Sequence, residues 1–248
     1  MHVKSFPDLS VGTVHVWRVN LKCHAKDRAT YLTLLSPDEV DRAERFVFDI
    51  HRDRYIVGRG VLRQLLCRYL NVQPKALTFA YGDKGKPYID APSTSLHFNV
   101  SHTANLGLLA FAYRRLGVDI EQINPDRATT AIAERYFAPD EVSRFKALPE
   151  SERSAGFYNA WTRKEAYMKA VGAGLALGLA NFSVTLSPNV PARLLATRWQ
   201  PDDAANWSMT ALSPYPDSAA ALVVSGHDWH LDTFSYMHPM GINFNTGS

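Results

Sequence analysis

From Arg54 to Leu70, apolar side chains return at three- and four-residue intervals: Tyr55, Leu62, Leu65, Leu66 and Tyr69. That period is one face of a helix. A second stretch runs from Ser151 to Val171 and carries Phe157, Trp161 and Met168. Gly172 and Gly174 beyond it supply the stop that glycine gives a helix C-terminus. Ahead of each stretch stands a similar phrase, Ser36-Pro37-Asp38-Glu39-Val40 and then Ala138-Pro139-Asp140-Glu141-Val142. Proline suits a first helical turn and acids suit the positive end of the helix dipole, so both phrases predict helix starts.

Strand signals follow each helix. The first is trailed by Leu77 to Tyr81, a glycine-bearing turn from Gly82 to Pro87, and a hairpin of Leu96 to Val100 with Leu106 to Tyr113. The second is trailed by Phe182 to Leu186, then by Trp207 to Leu212 and Ala219 to Val224. The pattern predicts an α+β chain of two similar halves related by a pseudo-twofold, each an antiparallel sheet packed on a long helix. The seam falls near Gly117, giving halves 1–117 and 118–235, with a loosely ordered tail over 236–248. Paired halves leave a cleft, a common place for a ligand.

Composition narrows the class. The chain has 248 residues, 46% hydrophobic and 21% charged, which is ordinary globular usage and excludes bulk disorder. The uncharged stretch Ala170 to Leu186 is interrupted by three glycines and does not read as a membrane span. The first residues lack an apolar leader and cleavage site, so a cytoplasmic protein is expected. Cys23 and Cys67 have no zinc or redox spacing around them. A net charge of +3 is too small to suggest a nucleic-acid partner. Arginines nevertheless crowd one region, at 42, 45, 52, 54, 59, 63 and 68, with acids interleaved. Charge alone leaves two readings open, a site for an anion or a solvated helix face.

Three short constellations carry candidate chemistry. In Gly117-Val118-Asp119-Ile120-Glu121, a strand would point Asp119 and Glu121 to one face, where a hard divalent ion such as Mg²⁺ would relieve their repulsion. Spacing alone equally allows an exposed edge strand with solvated acids. In the second long helix, Phe157, Trp161, Glu165 and Lys169 form a stripe four residues apart. Glu165 and Lys169 are then a surface pair worth about 0.2–0.5 kcal/mol, or an acid and a base at the edge of the core. Phe98-Asn99-Val100-Ser101-His102 is a strand ending in a polar turn that could bind phosphate oxygens. No orienting acid marks its Ser-His pair as a nucleophile. Gly82 to Tyr88 lacks the order of a phosphate-binding P-loop.

In this order the motifs resemble the 4′-phosphopantetheinyl transferase superfamily, in its larger pseudo-dimeric, Sfp-type branch. The resemblance is carried by GKPY at Gly85 to Tyr88, FNVSH at Phe98 to His102, GVDIE at Gly117 to Glu121, and WTRKEAYMKAVGAGL at Trp161 to Leu175. It implies transfer of the 4′-phosphopantetheine of coenzyme A to a serine of an apo acyl or peptidyl carrier protein, with Mg²⁺ bound and 3′,5′-ADP released. It implies a metal site of Asp119, Glu121 and Glu165, with Glu165, Lys169 and Asp119 catalytic. It also implies coenzyme A contacts at Arg42, Arg45, Arg59, Lys84, Lys86, Pro87, Ser101, His102, Lys164 and Lys169. Within these, Arg42 and His102 fall to the 3′-phosphate and Lys86 and Pro87 to the segment beside adenine. A monomer without nucleic-acid or membrane partners is expected. The competing readings are a Mg²⁺-dependent phosphohydrolase using the same carboxylates and a non-catalytic coenzyme A or carrier-binding module.

Overall fold

The computed structural model describes residues 6–238. Strand β1 (Thr13–Asn20) leads through helices α1 (Ala25–Leu32) and α2 (Pro37–Glu44) to α3 (Asp49–Leu70). Strands β2 (Thr78–Tyr81), β3 (Pro87–Ala91), β4 (His97–Thr103), β5 (Leu106–Ala112) and β6 (Leu116–Gln122) follow. After α4 (Thr130–Tyr136) and α5 (Pro139–Lys146) comes α6 (Glu150–Val171), then β7 (Phe182–Val184), β8 (Leu194–Thr197), β9 (Trp207–Leu212), β10 (Ser218–Ser225) and β11 (His230–Ser235). No described helix is long and apolar enough to cross a membrane.

The repeated phrase does start two helices, α2 and α5. Glu39 accepts the Ser36 N–H at 3.0 Å and Glu141 accepts the Ala138 N–H at 2.8 Å, each satisfying an amide that the helix start leaves free. Each short helix precedes a helix of 22 residues, α3 or α6. At the end of α6, Gly172 takes φ +80°, the left-handed cap expected of glycine.

Two main sheets form, in the orders β11-β1-β5-β4 and β6-β10-β9. Alternation divides the side chains among three cores. On the first sheet, Leu109 and Phe111 face α3 with Leu62, Leu65 and Leu66, while Leu108 and Ala110 face the second sheet, meeting Val118, Ile120 and Leu222. Around α6, Phe157 and Tyr167 pack with Phe145 and Phe182. The middle core, between the sheets, joins the two halves.

One connection departs from the expected order. Strand β11 leaves the second sheet and pairs in parallel with β1, Thr13 opposite His230, so the end of the chain returns to the first sheet. Tyr236, expected in a loose tail, is buried there at 5% exposure and bonded to Gln64, and His238 bonds the Tyr31 hydroxyl at 2.6 Å. Ordered structure therefore continues past 235, because an aromatic and a histidine find polar partners in the first core. The remainder of the expected tail, 239–248, lies outside the described residues.

Candidate functional site

At position 117 the chain permits an unusually close contact. A Cβ built there would stand 2.1 Å from the Ala166 carbonyl oxygen and 2.4 Å from the Ala170 amide nitrogen. Only hydrogen fits, so the backbone of α6 rests on that of β6. With residue 117 against α6, strand alternation turns Asp119 and Glu121 toward the same helix, where Glu165 and Lys169 sit one turn apart.

Asp119 is 4% exposed and Lys169 reaches its Oδ1 at 2.7 Å. The Ser101 hydroxyl donates to the same oxygen at 2.8 Å and accepts from Lys169 Nζ at 2.9 Å. Asp119 Oδ2 is buried without a hydrogen-bond partner. Burial and the Asp119 charge raise the carboxyl pKa of both Glu121 and Glu165; Lys169 opposes the rise at each, and the Thr103 hydroxyl opposes it at Glu121. The three carboxylates thus share one electrostatic neighbourhood, although among the described residues no three such side chains close into a ready ligand cluster. The donor set still fits a hard cation. Mutually repelling carboxylates and an orphaned buried carboxylate oxygen are what a divalent ion with oxygen ligands would satisfy.

A cavity of about 260 Å³ opens beside these acids, lined by Glu165, Lys169, Lys84, Lys86, Pro87 and Asn99 among others. It shares Pro87 and Val100 with a cavity of about 480 Å³ whose walls include Arg42, Arg54, Tyr55, Arg59 and His102. The two cavities adjoin at Pro87 and Val100, one beside Glu165 and the other on the arginine-rich side of α3. Lys86 Nζ donates to the carbonyls of Leu116 and Lys169, and burial, followed by the Arg115 and Lys169 charges, lowers its pKa to about 8. His102 is pushed below the usual imidazole value by burial and then by Lys169, Arg54 and His51, despite Asp119. Arg59 pairs with Glu39 at 3.4 Å and lies over the Phe79 ring at 5.0 Å, yet its buried Nη1 has no hydrogen-bond partner. Positive groups that crowd one another around unsatisfied donors are the complement of a phosphate.

Two of the residues implied for coenzyme A stand apart from this cleft. Arg45 lines an open groove with Asp38, Asp41 and Tyr81, joined to the cleft wall through Arg42 and Phe46. Lys164 is a correction. Its side chain is fully buried, 2.6 Å from Glu141 and bonded to the carbonyls of Leu179 and Phe182, so it cannot touch a ligand in the cleft. The physical reason is helical angle: one residue is about 100° of rotation, which turns Lys164 away from the cleft face that Glu165 occupies and into the core. Burial lowers its pKa to about 8 against the pull of Glu141. Lys164→Met strands the Glu141 charge in the core, and denaturant unfolding should show a loss of about 3–5 kcal/mol with the KM for coenzyme A of the folded fraction unchanged.

Sequence reasoning missed Tyr55, His51 and Asn99 as cleft residues. In the sequence, Tyr55 is only one position of an apolar stripe. Its signal was present in the neighbouring arginines, since Arg42 and Arg59 both lie within 6 Å of its ring.

Two family models and several known proteins match the chain. A family described as "4'-phosphopantetheinyl transferase superfamily" matches residues 115–224, and one described as "4'-phosphopantetheinyl transferase, N-terminal" matches residues 22–113. The chain is 37% identical over 226 residues to the 4'-phosphopantetheinyl transferase HetI of Nostoc sp., covering 90% of this chain and 92% of that protein. It is 31% identical over 162 residues to the 4'-phosphopantetheinyl transferase Sfp of Bacillus subtilis, covering 65% and 70%. With a phosphopantetheinyl transferase of Thraustochytrium sp. it shares 31% over 192 residues, covering 71% and 66%.

Proposed function

Because the chain belongs to the 4′-phosphopantetheinyl transferase superfamily, we propose that its cleft transfers the 4′-phosphopantetheine of coenzyme A to a serine of an apo acyl or peptidyl carrier protein. The observation that carries the reading is the pair of adjoining cavities, one lined by Glu165 and Lys169 and the other by the basic wall of Arg42, Arg59 and His102. Coenzyme A carries a 3′-phosphate and a 5′-pyrophosphate on one ribose, one anion for the basic wall and one for the cavity of Glu165 and Lys169. The two α+β halves divide at about Gly117, with β11 lent back to the first. All these groups come from one chain, so a monomer suffices.

Asp119, Glu121 and Glu165 would hold Mg²⁺, which when bound supplies neutralising charge for the pyrophosphate. The remaining chemistry belongs to the chain. The carrier serine oxygen forms a bond to the phosphorus that bears pantetheine, and the bond from that phosphorus to the oxygen of 3′,5′-ADP breaks. Glu165 accepts the serine proton. Its raised pKa makes it a better base than an exposed glutamate would be. Lys169 places an ammonium where charge grows on the departing oxygen, and Ser101 holds that ammonium and Asp119 together. Lys84, Lys86 and Pro87 form the wall beside the nucleotide.

Release of 3′,5′-ADP from coenzyme A, followed with and without apo carrier, tests the reading. Release should require the carrier. Equal release without it would make the protein a hydrolase. The basic wall makes a separate forecast. His102→Ala and Arg59→Ala should each raise the KM for coenzyme A about 10- to 100-fold, as loss of a charged hydrogen bond does, and scarcely alter that for dephospho-coenzyme A. An interaction with a phosphate that the analogue lacks cannot be lost twice. Equal penalties on both substrates would remove these side chains from the 3′-phosphate.

A further inference from the structure

Strands β4 and β6 are edge strands of different sheets, and they run beside each other through side chains. Asn99 Oδ1 accepts the Val118 N–H at 2.9 Å. Two residues on, Ser101 Oγ accepts from the Ile120 N–H at 3.4 Å, and two further on, Thr103 Oγ1 accepts from the Gln122 N–H at 3.4 Å. A common step of two on both strands means that one face of β4 meets successive outward amides of β6. The opposite edge of β6 is occupied by β10, with Asp119 opposite Ala221 and Glu121 opposite Ala219.

This ladder has a geometric consequence. A main-chain ladder would draw the strands to about 4.8 Å. A side chain interposed on one strand holds the sheets farther apart and leaves room for a cleft, while still fixing β6 along its length and across it. The residues whose amides are gripped alternate with Asp119 and Glu121. Moving β6 relative to β4 would therefore move both carboxylates relative to Arg59 and His102, which stand on the first sheet's side of the cleft. Asn99 is 7% exposed and also lines the cavity beside Glu165.

We propose that Asn99 and Thr103 are positioning residues of the transfer reaction, setting β6 against β4 so that the carboxylates and the basic wall grip one substrate together. The inference rests on the transfer reading given above. Neither residue contacts the reacting atoms in this account; Asn99 acts through the backbone of β6, and Thr103 through that backbone and through its hydroxyl on the Glu121 carboxyl.

The test combines steady-state kinetics with amide hydrogen exchange on the full-length protein. Asn99→Leu keeps the bulk and removes the acceptor. It should lower kcat about 10- to 100-fold, as misplacement on the order of 1 Å does, with little change in the KM for coenzyme A, and the Val118 amide should exchange faster than in the wild type. Should Asn99→Leu fail to fold, Thr103→Val carries the test at a half-buried position, lowering kcat and exposing the Gln122 amide, with Thr103→Ser restoring both. Wild-type kcat in a folded Asn99→Leu or Thr103→Val variant, or unchanged protection of these amides, overturns the proposal. Absence of carrier loading by the wild-type protein would instead overturn the transfer reading, and the exchange data would still judge the ladder.

Discussion

Asp119→Asn should cut the rate of phosphopantetheine transfer about 10²- to 10³-fold, the usual consequence of losing one preorganised electrostatic contact in an active site. The substitution preserves shape. Its amide oxygen can still accept from Ser101 and Lys169, which meet Asp119 Oδ1 at 2.8 and 2.7 Å. What disappears is a negative charge buried where nothing satisfies Oδ2. In the folded apo protein that charge repels Glu121 and Glu165, raising the pKa of each, and is offset at Oδ1 by Lys169. Loss of the ion pair and relief of the repulsion oppose each other, so the variant should stay folded, with a melting temperature near that of the wild type, while losing activity. A fold defect with activity in proportion to the folded fraction would make Asp119 a structural residue. Near-wild-type kcat at low Mg²⁺ would exclude it from the metal site.

The second large effect is expected at Gly117. Alanine there places a methyl group 2.1 Å from the Ala166 carbonyl oxygen, which is backbone and cannot rotate away. Helix α6 must lift from β6 instead. Overpacking of this kind costs about 1–3 kcal/mol. The larger loss is catalytic: Glu165 and Lys169 ride on the displaced helix while Asp119 and Glu121 stay on the strand, and a shift on the order of 1 Å can cost about 10²-fold in rate. Gly12→Ala is the control, since a Cβ there meets nothing within 4 Å. Kinetics and denaturant unfolding on both variants separate the readings. A Gly117→Ala protein that is destabilised yet fully active per folded molecule would show that the contact between helix and strand does not set the site.

These residues also show what the amino-acid sequence could and could not reveal. The helix starts at Pro37 and Pro139 were legible because proline and the following acids act within a single turn. The common facing of Asp119 and Glu121 was legible because strand alternation is local. Lys164 was misplaced because its assignment came from resemblance, while helical rotation puts it a third of a turn from Glu165 and into the core with Glu141. The return of β11 to β1 was not legible, because strand pairing across nearly the whole chain leaves no local mark. Nor was the contact of Asn99 with β6. A polar residue in a strand reads as an exposed one until the neighbouring edge that it bonds is known.

Intact-mass measurement of an apo carrier protein incubated with this protein, coenzyme A and Mg²⁺ tests the central claim most directly. The account predicts that the carrier gains the mass of one phosphopantetheine at its serine, only when all three components are present, and not when Asp119→Asn replaces the wild type over the same interval. Unmodified carrier across acyl and peptidyl carriers, with coenzyme A cleaved or simply bound, would contradict it.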